Sequence, residues 1–163
     1  MGRFHYEPSV GDDVYRRSVY TFWRRSVAPT TLFDAAKRRV CTTRIVRTNT
    51  PLHALTLMND TTYIEAARVL AEHAMREALE FEDRVQIIVT RVLGRPADLV
   101  ESVALLRQLQ TTLDYYVDHP KEAAALIGQG QAPVDETLAA PELAAYTALA
   151  NTVLNLDEAI THE

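Results

Sequence analysis

From Thr50 to the end of the chain, apolar residues recur at the spacing of one helix face, and prolines and glycines cut that pattern into segments. Such a chain buries its apolar side chains by packing helix against helix. Thr50 opens the first segment as an N-cap, with Pro51 at the position where a missing N–H costs nothing, and Leu52, Leu55 and Met58 follow on one side, Met58 reading as core. Asn59 and Asp60 interrupt it. Asp60 then caps a longer helix running to about Leu79, with Tyr63, Ala67, Leu70 and Ala74 as its inner stripe. Glu80, Glu82 and Asp83 mark the next start. Val85, Ile88, Val89, Val92 and Leu93 fill the helical template, and Gly94 stands where a left-handed residue ends a helix.

Pro96 and Asp98 open a further helix, predicted to turn Leu99, Val103, Leu106, Leu109 or Gln110, Leu113 and Val117 toward the core before Pro120 stops it. Lys121 to Ile127 add a short helix. Residues 128–140 have no period and read as a loop of a length that is more often functional or mobile than passive. Pro141 begins the last helix, which is expected to bury one face made of Leu143, Tyr146, Ala150, Val153 and Leu154.

Residues 1–50 differ in kind. Pro8 and Gly11 punctuate an irregular arm, a short helix with Tyr15, Val19, Phe22 and Trp23 on one face is expected before Pro29, and residues 30–50 read as loop with one short strand. The expected fold is all-α: an irregular bundle of about five to seven helices with an extended, basic N-terminal arm. At 163 residues the chain has the length of one domain, divided into an arm (1–50) and a helical core (51–163).

Charge is unevenly spread. Residues 1–50 carry ten Lys/Arg against four Asp/Glu, a balance of +6, while residues 51–163 carry seven against eighteen, a balance of −11. A basic arm can mark a nucleic-acid binder, and its interleaved arginines and aromatics could grip single strands. Docking onto the acidic helices accounts for the same pattern without a partner, and the net charge of −5 argues against nucleic acid. No apolar run is long enough for a membrane span.

The residues for chemistry are sparse. The single cysteine, Cys41, rules out a disulfide within the chain, and no two of the five histidines have the spacing of a helical metal site. His73 reads as a surface residue. No metal, haem or other cofactor is expected, and no nucleophile motif or phosphate-binding loop is present. One polar group stands out: Arg44, Arg47, Asn49, Thr50, Asn59, Asp60, Asn155 and Asp157, gathered near expected helix ends. Thr50 and Asp60 read as caps and the asparagines as turn residues. Asp157, read at the C-terminal end of a helix, opposes the dipole there, so pairing with Arg47 or Arg44 is expected, which would tie the arm to the last helix.

Taken together, the segments from Tyr15 to Arg25, Phe33-Asp34-Ala35 with Cys41, Arg47 to Asp60, Arg91 to Pro96 and Leu154 to Glu158 resemble a planctomycete-specific C-terminal domain of unknown function. That family occurs in large exported proteins that often carry a cytochrome-c-like module. His53, Ala36 and Ala159 depart from its pattern, which usually has Gln, Pro and an aromatic there. The resemblance implies an exported, multidomain parent of which this chain would be the C-terminal fragment, with any haem in an upstream module. The expected role is a non-catalytic helical interaction or scaffold module, partnered by upstream domains of the same parent or by another protein. The alternative is the helical part of an enzyme, perhaps acting on polysaccharide, with its catalytic residues upstream. An exposed apolar patch, left by the absent upstream region, is expected as well.

Overall fold

The computed structural model of the chain describes residues 9–11, 15 and 51–160. The chain divides into two compact units, Met1–Thr48 and Asn49–Glu163, and the described helices belong to the second. They are α1 (Pro51–Asn59), α2 (Thr61–Glu77), α3 (Phe81–Leu93), α4 (Leu99–Asp118), α5 (Pro120–Ile127), α6 (Ala140–Leu154) and α7 (Asp157–Ile160). No strand occurs among the described residues, so the fold is all-α. The short helix expected after residue 12 and the loop and strand expected over 30–50 lie outside the described residues. Tyr15 is described, and it is more than half exposed rather than buried in an aromatic stripe.

Local chemistry sets the helix ends. The Asp60 carboxylate accepts from the Thr62 N–H at 2.9 Å and starts α2. Asp98 starts α4 with a reciprocal capping box: its carboxylate accepts from the Glu101 N–H at 2.8 Å, while the Glu101 carboxylate accepts from the Asp98 N–H at 2.9 Å. Gly94 ends α3 at φ 72°, a left-handed conformation that costs glycine little.

The helices assemble around α6, which packs against α2, α3, α4, α5 and α7. Leu143, Ala144, Ala145, Tyr146, Thr147, Leu149, Ala150 and Val153 are all buried, so α6 is enclosed nearly all round rather than on one face. Its alanines meet Ala67, Ala71 and Ala74 of α2 in one core with Val85, Ile88 and Val89 of α3 and Leu109 of α4. Small side chains at the contact let helix axes approach closely.

Several predicted faces are rotated. In α1 Leu57 is buried while Leu55 and Met58 face outward, so Met58 is not core. In α2 the apolar stripe is Ile64, Ala67, Ala71, Ala74 and Met75, with Tyr63 and Leu70 half-buried. Asp157 and Glu158 lie in the first turn of α7, because the chain turns after Leu154 instead of continuing one long helix. That placement removes the dipole conflict expected of Asp157, since carboxylates suit a helix start.

Candidate functional site

α4 carries two apolar faces. Leu109 is buried, and Leu105, Leu113 and Tyr116 are partly buried against the core. Of the residues predicted to point inward, Leu106, Leu109 and Leu113 pack on the core, whereas Leu99, Val103 and Val117, about a quarter-turn from Leu109, face solvent: they are 81%, 51% and 58% exposed, with Val100 exposed beside them. The prediction holds for the middle of the helix and not for its ends, because a twenty-residue amphipathic pattern broad enough for two faces fits either stripe, and only the positions of α3 and α6 decide which is covered. Phe81, at the start of α3, adds a half-exposed ring. Between it and α4 lies a groove of about 200 Å³ lined by Phe81, Glu82, Leu106, Leu109, Gln110 and Leu113.

The polar groups inside the unit are committed to holding its parts together. On α2, Glu65, Arg68 and Glu72 share one face and are buried. Arg68 is fully enclosed; its guanidinium pairs with Glu72 at 2.5 Å and donates to the carbonyls of Ala132 at 2.8 Å and Pro133 at 3.2 Å. Glu65 accepts from the N–H groups of Gln131 at 2.6 Å and Ala132 at 3.2 Å. Arg76 adds a pair with Asp135 at 2.5 Å. The loop after α5, predicted to be functional or mobile, is thus fixed to α2 along about three turns of helix. No apolar periodicity could have shown this, but the charge spacing Glu65, Arg68, Glu72 and Arg76 was readable.

A second network joins three other parts of the unit. Arg95 donates to Glu101 through two nitrogens at 2.8 Å each, and to Glu158 at 2.8 and 2.6 Å. It thereby joins the α3–α4 turn, the start of α4 and α7. The Arg95 guanidinium, with the Asp98 N–H, holds the Glu101 carboxyl down to about 2 from an ordinary 4.5, and Arg95 also lowers Glu158. At Asp135, the Thr137 hydroxyl and then Arg76 bring the carboxyl from 3.8 to about 2. A carboxyl whose folded pKa is depressed stabilises the fold above its unfolded pKa, and that contribution is lost as pH falls through the folded value. Stability is therefore expected to fall between pH ~5 and ~2. In Arg95→Gln the part that Arg95 contributes at Glu101 and Glu158 disappears, the Asp98 N–H still holding Glu101, and the acid limb of a urea-midpoint titration becomes shallower. An identical limb in variant and parent would show that Arg95 does not set these carboxyls.

Of the polar group predicted from sequence, Arg44, Arg47, Asn49 and Thr50 lie outside the described residues, and with them the expected pairing of Asp157. The remaining four are placed. Asn59 caps its own helix by donating to the Leu55 carbonyl at 2.8 Å, and Asp60 starts α2. Asn155 donates to the Asn151 carbonyl and side-chain oxygen at 2.8 and 3.0 Å, and Asn151 donates to the Met58 carbonyl at 3.0 Å. Asn151 therefore links the end of α6 to the end of α1. It was missed because one asparagine inside an apolar helix gives no local signal. Glu158, next to the residue singled out, carries the inter-helix ion pair with Arg95.

Among the described residues no group of three or more His, Cys, Asp or Glu could hold a metal ion, and no helix is long and apolar enough to cross a membrane. His73 is exposed on α2. The described unit is thus an all-helical module with an apolar helix face turned outward and its buried ion pair spent on a loop. The chain belongs to the family PSD1, Protein of unknown function (DUF1553), which matches residues 3–109 and so takes in α1 to α3 and the first half of α4. No curated protein matches the chain, and no solved structure does.

Proposed function

We propose that the chain is a non-catalytic helical interaction module, working as part of a larger exported protein of the kind that carries a cytochrome-c-like module. The observation that carries this reading is the exposed set Leu99, Val103 and Val117 along one face of α4, with Val100 exposed beside it, on a helix whose other face already supplies the core. Isolated exposed apolar residues are ordinary on protein surfaces, but an aligned set along one helix marks a contact face. Upstream domains of the same parent, or a separate protein, are the natural occupants.

A hydrophobic dye such as ANS tests whether the face behaves as an open apolar surface. The full chain is expected to enhance its fluorescence, and Leu99→Glu/Val103→Glu to remove most of that signal with the helical circular dichroism unchanged. Both side chains are at least half exposed, so the substitutions leave the core intact. Dye binding that persists in the variant would place the apolar surface elsewhere and overturn the reading.

A further inference from the structure

We propose that the outward face of α4 docks a basic amphipathic helix of a partner polypeptide. This rests on the interaction-module reading and names the chemistry of the partner. Leu99, Val103, Leu106, Gln110, Leu113 and Val117 follow one another at alternating spacings of four and three, the seam on which one helix accepts another; Leu99, Val103 and Val117 are exposed, while Leu106 and Leu113 are partly buried against the core and line the groove beside Phe81. α4 has twenty residues and so extends about 30 Å, long enough to hold a partner helix over several turns. The groove beside Phe81, at about 200 Å³, is smaller than the ~300 to 1,000 Å³ of small-molecule sites and fits a single anchoring side chain.

Charge selects the partner. Glu82 lines the groove, and Asp114 and Asp118 lie exposed on α4, against one cation, Arg107, on that helix. Behind them, residues 51–163 carry a balance of −11. Lysines or arginines flanking an apolar stripe would meet this surface favourably and gain encounter rate from the wider field. A second copy of the chain would instead set acidic flank against acidic flank, which is unfavourable.

The test uses the full chain and two synthetic helical peptides with the same leucine stripe, one flanked by lysines and one by glutamates. The lysine peptide is expected to bind in the micromolar range, at least about tenfold more tightly than the glutamate peptide, and to weaken as salt is raised. In Leu99→Glu/Val103→Glu its affinity is expected to drop at least about tenfold, even though the added negative charge would strengthen a purely electrostatic contact. Equal binding of the two peptides overturns the proposal, and so does binding that survives the double variant. Light scattering that shows the chain alone as a dimer, which the lysine peptide does not dissociate, overturns it as well by making a second copy the occupant. If peptide binding fails while dye binding remains sensitive to Leu99 and Val103, only the choice of partner is wrong. If both fail, the interaction-module reading falls with it.

Discussion

Replacing Arg68 by leucine is expected to lower the stability of the folded chain by about 3 to 5 kcal/mol, the cost of leaving a buried charge without its partner. Arg68 has no exposed surface, and Glu72 beside it is nearly as enclosed. Without the guanidinium, the Glu72 carboxylate loses its counter-charge and the carbonyls of Ala132 and Pro133 lose their donor. Arg68→Lys is expected to fall between the two, because an ammonium cannot present the planar fork that reaches a carboxylate and two carbonyls together. Urea-unfolding midpoints of the three proteins order them parent, lysine, leucine. A leucine variant within about 1 kcal/mol of the parent would mean that the cluster contributes little, as buried ion pairs replaced by apolar groups sometimes do.

Gly130→Ala is expected to be nearly as damaging, by about 2 to 4 kcal/mol, for two reasons that act together. Gly130 has φ 96°, a region that side chains with a Cβ rarely enter. A Cβ added there would also meet the Glu65 carboxylate oxygen at 2.0 Å and the Glu65 Cβ at 2.7 Å. The carboxylate is held by two backbone N–H groups of the same loop, and its Cβ is fixed to α2, so neither can move aside without breaking the clamp. Unfolding midpoints and proteolysis within residues 128–139 check this, with faster cleavage there expected in the variant. An alanine variant as stable and as resistant as the parent would show that the loop has room the geometry denies.

These two positions also show where sequence reading stopped. Helix ends were legible because they depend on neighbours in the chain: Asp60, Asp98, Gly94 and Pro120 act within one turn. The grip of α2 on the loop was not, since Glu65 and Gln131 are 66 positions apart and nothing local connects them. At the two ends of α4, where Leu99, Val103 and Val117 face solvent, sequence reading stopped for a different reason. The residues of α4 from Leu99 to Val117 were recognised as one stripe, but a stripe records only that a face is apolar, and what covers it depends on the rest of the fold. Asp157 illustrates the limit at helix boundaries: reading one helix through Asn155 inverted the dipole argument, although its neighbour Glu158 does hold an arginine.

Side-chain radical footprinting of α4 in the full chain, alone and within the larger assembly proposed above, tests the central claim most directly. Leu99, Val100, Val103 and Val117 are expected to label strongly in the chain alone and to lose that labelling in the assembly, while Leu109 stays weakly labelled in both. Strong labelling of the four exposed residues in the assembly, with protection appearing on other helices instead, would contradict the account.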